Sequence, residues 1–471
     1  MTESASPSPA QPVAPAAFPR SFWTANVTEL FERGAYYAMA SFVVIYFGRL
    51  GMGRYWPSTL NSVLWTLVYF LPILSGTVAD QVGFRKALLG AFVLLTGGYF
   101  LMGSPVWFAG ATLLEKAGDE VTTKPLIALL PVAAILLIGV GGSIVKPCIS
   151  GTVQKTSSGR ATLAFAIFYM VINIGSLVGR GASYYVRTRS SLTYIFAVSM
   201  ACAALAFLLV AFVYRDPEAG QAAAAPPRPR KSPGRVLLDM VLVLRSPRFV
   251  LFLLVNVGFT FLYAQVYNVL PLYLATVLEK KPAVDVYTMA NPLVIVSFQL
   301  LVTRLFGKMA PVRSMVVGTV IIGFAMVINV VPLYLPGGPR ALGPLGIPIG
   351  SLFVVATVAL IAFGELFAQA RVFEYIGALA PKGQEGLFLG YANLPMALGS
   401  LAGGPVGAYL FHGVICRGAT KDDLGLLVLD RGNATAGWLV LMAIGFVSAG
   451  GLWLYDRWVT AASTAGATGA A

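Results

Sequence analysis

Glu29, Glu32 and Arg33 stand inside a long apolar stretch, within Thr28-Glu29-Leu30-Phe31-Glu32-Arg33-Gly34-Ala35-Tyr36-Tyr37. A charge at the centre of a membrane helix costs roughly 2.5–3.5 kcal/mol even on the gentler insertion scale, so three of them point to a functional site facing protein or a wet cavity. Positions 29, 32, 33, 36 and 37 recur at helical intervals. One face therefore presents two carboxylates, a guanidinium and two phenols, and the other is expected to meet lipid. The bland alternative is a self-neutralised structural ion pair. Against it, an ion pair needs two charges and this face carries three, plus aromatic hydroxyls.

These residues need a helix that crosses a bilayer, and the composition supplies many. The chain of 471 residues is 57% hydrophobic and 11% charged, with a mean hydropathy of +0.78. Soluble domains carry about a quarter charged residues. Runs near twenty apolar residues predict twelve membrane helices, near 22–50, 58–81, 86–108, 125–149, 161–187, 191–214, 248–278, 284–307, 313–336, 346–380, 385–413 and 436–460. The fold class expected is an all-α membrane protein.

The net charge of +14 does not mark a nucleic-acid binder, because Lys and Arg follow membrane topology. With the N-terminus inside, one set of loops takes Arg85 and Lys86, Lys155 and Arg160, a cluster from Arg215 to Arg248, then Lys308, Arg313 and Lys382. The opposite loops mix signs, as in Glu115-Lys116 and Lys421-Asp422-Asp423. The positive-inside rule then puts both termini in the cytoplasm of a multi-pass cell-membrane protein, the inner membrane if the source is Gram-negative. The Pro/Ala/Ser-rich residues 1–20 lack the layout of a cleaved signal, so the first span is expected to serve as the insertion signal. Cys148, Cys202, Cys416 and the lone His412 form no metal-ligand set. No cofactor or metal is expected. A single histidine excludes HExxH, and no GxxxxGK[ST] loop is present, which argues against an enzyme or an ATP-driven pump.

Residues 215–247 interrupt the spans with Asp216-Pro217-Glu218, an Ala/Pro run and a basic segment. They divide the chain into a tail (1–20), a first six-helix bundle (21–214), a cytoplasmic linker (215–247) whose Ser232-Pro233-Gly234 could start a surface helix, a second bundle (248–462) and a tail (463–471). Two equal bundles suit alternating access, in which the halves rock around a site near the membrane midplane.

Gly76-Thr77-Val78-Ala79-Asp80-Gln81-Val82-Gly83-Phe84-Arg85-Lys86 resembles the GxxxDxxGxRK loop motif of the major facilitator superfamily, with a degenerate echo at Arg304-Leu305-Phe306-Gly307-Lys308. The resemblance implies that fold, twelve helices in two six-helix bundles, with Asp80, Arg85 and Lys86 tying helix ends across an inner gate. Glu29-xx-Glu32-Arg33-xx-Tyr36-Tyr37 resembles the ExxERFxYY motif of the proton-dependent oligopeptide transporters within it, with Gly34 in the Phe position. Phe168-Tyr169-xx-Ile172-Asn173-x-Gly175-Ser176-Leu177 is similar to that family's FYxxINxGSL signature. Further matches are Tyr69-xx-Pro72, Gly141-Gly142-xxx-Lys146-Pro147, Gly364-Glu365-Leu366 and Leu379-Ala380-Pro381 with Gly386-xxx-Gly390.

The resemblance implies a proton-responsive cluster of Glu29, Glu32, Arg33 and Lys146 beside the carboxylate of a bound peptide. A carboxylate flanked by cations can trade its partner for a proton, and a substrate carboxylate can take the vacated cation. Proton and substrate binding then become linked. Arg33, Lys146, Tyr36, Tyr37, Tyr69, Asn173 and Gln265 would contact substrate, with Glu365 near its amino terminus. Lys146 also has a plain reading as a snorkelling residue. Departures are concentrated in the second half. Ala264 stands where the family has an acid in the seventh helix, and Gln369-Ala370 replace Ser-Pro after Glu365. Arg371 and Glu374 could be a gate pair or a self-contained i, i+3 pair. Arg180 is a cation that the signature does not require.

The function expected is proton-coupled symport of di/tripeptides or peptide-like organic anions. A monomer in the lipid bilayer, with protons and a small substrate as its partners, completes the expectation. A non-transporting receptor on the same fold, and a proton-independent exchanger or exporter of a non-peptide anion, are the alternatives.

Overall fold

The computed structural model describes residues 17–157, 160–217, 238, 242, 244–379 and 391–468. Most of the linker, Lys382 and the Gly386–Gly390 motif, on which expectations were placed, lie outside the described residues, as do the side chain of Asp80 and the outermost parts of both tails. Eleven helices among the described residues are long and apolar enough to cross a membrane. The first span, Arg20–Ala40 continued by Val43–Arg49, makes the twelfth.

In order, the remaining spans are built on Trp56–Phe70 with Pro72–Val82, Phe84–Trp107, Pro125–Lys155, Ala161–Arg189, Tyr194–Phe212, Pro247–Ala264 with Val269–Tyr273, Val284–Thr288 with Ala290–Phe306, Pro311–Val327, Ile349–Leu379, Leu394–Tyr409 and Arg431–Thr468. Spans one to six pack on one another, as do seven to twelve. Across the halves, the second span lies along the eleventh and the fifth along the eighth. We call the end of the molecule opposite the Gly76–Lys86 loop its outer end. A short hairpin, Thr420–Lys421 with Leu427–Val428, caps that end.

The first span is not half lipid-facing as expected. It is enclosed by spans four, five and six, and only Arg20, Trp23 and Val27 on it are exposed. Gly175 and Gly179 allow this. A Cβ on Gly175 would meet the Leu30 carbonyl and Arg33 Cβ, and one on Gly179 would meet the Gly34 carbonyl. The charged face therefore pays no direct cost of lipid exposure.

Prolines open the helical ladder where the halves need hydrogen-bond acceptors. Pro147 frees the Ser143 carbonyl four residues earlier, and Ser75 Oγ on the second span donates to it at 2.7 Å. That bond fixes the turn carrying Lys146. Pro271 likewise frees the Tyr267 carbonyl. The seventh span, expected to be continuous, breaks at Gln265–Asn268, and Asn61 Nδ2 from the opposite half donates to the freed carbonyl at 3.2 Å and to Asn268 Oδ1 at 3.1 Å. The tenth span lacks a proline after Glu365 and runs unbroken from Ile349 to Leu379.

Candidate functional site

Arg33 is the centre of the site. Its Nε pairs with Glu32 Oε2 and lies 3.3 Å from Glu29 Oε1, one helical turn below. Glu29 is fully buried, and neither of its carboxylate oxygens has a hydrogen-bond donor. A proton can therefore be added to Glu29 without breaking a hydrogen bond. The Arg33 guanidinium also lies 5.6 Å from the Tyr36 ring centroid. Lys146, delivered by the fourth span, sits 5.5 Å from the ring centroid of Tyr69. Glu365, from the tenth span of the other half, accepts from Asn291 Nδ2 at 3.1 Å and is within electrostatic reach of Lys146.

Aromatic rings join the two halves around these charges. Trp65 stacks on Tyr69 at 5.6 Å and packs against Tyr36 at 6.0 Å, while Tyr267 and Tyr263 of the opposite half approach Trp65 at 4.7 and 6.3 Å. Tyr37 packs edge-on against Tyr36 at 5.3 Å. The Tyr36 hydroxyl and Trp65 Nε1 are buried without partners, two polar atoms aligned with a wall of rings. Such unpaired groups are costly unless something bonds to them.

The structure thus brings together Glu29, Glu32, Arg33, Tyr36, Tyr37, Tyr69, Lys146 and Glu365. Asn173 lies on the fifth span with its amide donating to the Tyr169 carbonyl at 2.9 Å. Gln265 is not in the cluster: it is fully buried and donates to the carbonyls of Phe261 and Gly403 at 2.7 and 3.3 Å, against the eleventh span. Its neighbours Tyr263 and Tyr267 take the inward positions. Sequence reasoning missed these two along with Trp65, Asn61 and Asn291. The i, i+4 spacings of Trp65 with Tyr69 and of Tyr263 with Tyr267 were the available signal.

Of the residues expected at an inner gate, Arg85 and Arg371 tie helices within their own halves. Arg85 donates to the Ala211 carbonyl at 2.6 Å and the Val210 carbonyl at 3.4 Å, and its backbone N–H donates to Asp216 at 2.9 Å. It thereby satisfies the free carbonyls at the end of the sixth span. Gly83, at φ +92°, makes the turn that aims it. Lys86 is exposed. Arg371 pairs with Glu374 at 2.6 Å and donates to the carbonyls of Gly307 and Phe306 at 2.8 and 3.2 Å, closing the eighth span.

Polar bonds between the halves gather towards the outer end. Arg187 forks onto Asp285 at 3.0 and 3.3 Å, and Ser41 Oγ lies 2.9 Å from Thr288 Oγ1. Beyond them a cavity of about 1190 Å³ separates the outer loops. With the Arg54–Asp119 and Arg187–Asp285 pairs set aside, its lining holds Arg49, Lys116, Lys280, Lys281 and Lys421 against Glu115, a surplus of positive charge.

A family model described as Major Facilitator Superfamily matches residues 55–404. The chain belongs to the major facilitator superfamily. Within it, the chain is 28% identical over 201 residues to solute carrier family 15 member 1 of Oryctolagus cuniculus, covering 40% of this chain and 27% of that protein. It is 27% identical over 216 residues to a di-/tripeptide transporter of Lactococcus lactis, covering 42% and 37%. The chain thus matches well under half the length of these curated relatives. Its fold is similar to a solved peptide transporter in complex with sulfate (TM-score 0.70, 18% identity, 93% of this chain and 94% of that one). It is also similar to a POT family transporter in complex with 5-aminolevulinic acid (TM-score 0.71, 17% identity, 94% and 97%). A major facilitator fold of twelve helices in two bundles, expected from the sequence, is the fold of the protein.

Proposed function

We propose that this protein is a proton-coupled symporter of di/tripeptides or peptide-like organic anions, working by alternating access in the cell membrane with both termini cytoplasmic. The observation that carries the reading is the pairing of two carboxylates with one guanidinium, beside a lysine of the same half and a carboxylate of the other. Glu29 and Glu32 share Arg33. Protonating one of them frees part of the guanidinium for the carboxylate of a substrate. Lys146 supplies a second cation, Glu365 a counter-charge for a substrate amine, and the tyrosines with Trp65 the polar-edged wall along its backbone. Some of the curated relatives are di- and tripeptide transporters by name, which supports the substrate class.

Ala264 favours one variation. The seventh helix offers no acid at that position, so coupling falls to the first-span pair and Glu365. Counterflow in proteoliposomes tests the transport reading: exchange of labelled dialanine against a panel of unlabelled dipeptides is expected. Binding without any exchange would identify a receptor instead, and exchange together with net uptake that an imposed proton gradient does not drive would identify a proton-independent exchanger.

A further inference from the structure

Arg180 is the one cation near the site that the reading above leaves without a task. It is fully buried on the fifth span, two turns beyond Asn173. Its Nε donates to Thr288 Oγ1 at 3.1 Å, one Nη to Tyr267 Oη at 3.0 Å, and the other Nη to Ser176 Oγ. The guanidinium lies 4.5 Å from the centroid of the Tyr37 ring. All of these partners are neutral, and among the described residues no carboxylate comes within 4.0 Å. Arg187, two turns further out on the same helix, has Asp285 as counter-ion. Burying a guanidinium without an anion is costly, and neutral hydroxyls compensate it only in part.

The cluster sets three cations, Arg33, Lys146 and Arg180, against three carboxylates, Glu29, Glu32 and Glu365; two of the carboxylates are held at Arg33, and none contacts Arg180. Guanidinium has five N–H donors, and three have partners here, so donors remain for an anion. Two of the three acceptors, Thr288 and Tyr267, belong to the opposite half. Separation of the halves at the outer end releases both while Ser176 and Tyr37 stay in place. The cation is then presented towards the outer cavity, the vestibule of the site, whose surplus of lysine and arginine concentrates anions by its field.

We propose that Arg180 is a specificity-determining residue that binds a second carboxylate on the substrate, so that the preferred cargo is a peptide-like solute with an acidic side chain. The inference rests on the peptide-like reading of the site and adds the charge class to it. When the halves close, the carboxylate stays forked on the guanidinium and the hydroxyls of Tyr267 and Thr288 complete its cage.

The test compares uptake and thermal-shift binding of the near-isosteric pair Ala-Glu and Ala-Gln by the full-length protein. Wild type is expected to show an affinity for Ala-Glu about tenfold or more above that for Ala-Gln. Arg180→Gln should abolish the preference and spare Ala-Gln, Arg180→Lys should keep a part of it, and Ser41→Ala, which removes a hydroxyl bond between the halves outside the cage, should retain it. Equal affinity of wild type for the two peptides overturns the proposal and leaves the transport reading standing. Equal loss of both peptides in a folded Arg180→Gln protein would show a latch without a role in selection, and also overturns it. Binding of neither peptide by wild type overturns both.

Discussion

At the scale of the residue, the account turns on Glu29, Glu32 and Arg33. Arg33→Leu leaves two buried carboxylates without their cation, a loss of about 3–5 kcal/mol, and the measurable result is a large fall in apparent melting temperature in detergent. Glu29→Gln or Glu32→Gln keeps shape and removes one negative charge. Each is expected to suppress proton-driven uptake while sparing counterflow, because the binding surface survives and the proton acceptor does not. Unchanged pH dependence of uptake in both variants would remove these residues from coupling. Asp422 gives a titration outside the membrane. Against desolvation, which pushes it up, the Leu426 N–H and the Arg340 guanidinium hold its carboxyl below the usual carboxylate range. A lowered value in the folded state stabilises above the ordinary carboxylate value, and that contribution disappears as pH falls through the lowered one. The protection of the Leu426 amide relative to intrinsic exchange at the same pH should accordingly be lost as Asp422 is protonated below the usual carboxylate range, and Asp422→Asn should lower that protection at neutral pH.

At the scale of the element, small residues set how closely helices approach. A Cβ on Gly404 of the eleventh span would meet the Ser58 carbonyl and Ser62 Oγ of the second span. Gly404→Ala is therefore expected to wedge the halves apart at a cost of about 1–3 kcal/mol, read as a lower melting temperature. Much at this scale was legible in the sequence. Apolar run length places the spans, and the spacing of Glu29, Glu32 and Arg33 puts all three charges on one helix face. What was not legible depends on tertiary partners. The break at Gln265–Asn268 requires Asn61 of the other half to accept the consequence of Pro271, and nothing local announces that partner. Gln265 and Tyr267 both lie within the same stretch, but which of them faces the site depends on the rotation of the helix after Ala264. The enclosure of the first span follows from glycines of the fifth, over a hundred residues away. Arg85 reads as a gate residue from its motif, and Arg371 as either a gate residue or half of a self-contained pair with Glu374; in this structure that pair forms, and Arg85 and Arg371 each close a helix of their own bundle.

At the scale of the whole molecule, the halves are joined towards the outer end by the Arg187–Asp285 pair and the hydroxyl bonds of Ser41, Arg180 and Thr288. Asp285→Asn is expected to weaken that closure by roughly 3 kcal/mol, enough for a population shift above a hundredfold. Spin labels at Thr188 and Lys280, on opposite sides of the vestibule, should report a longer distance in the variant. The same machine must couple two fluxes, and that is the central claim. Its most direct test is a proteoliposome loaded with a pH-sensitive dye and challenged with external peptide in the absence of any imposed gradient. Acidification of the lumen on peptide addition, absent in the Glu29→Gln protein, is the predicted result; peptide entry with no change in luminal pH would contradict the account.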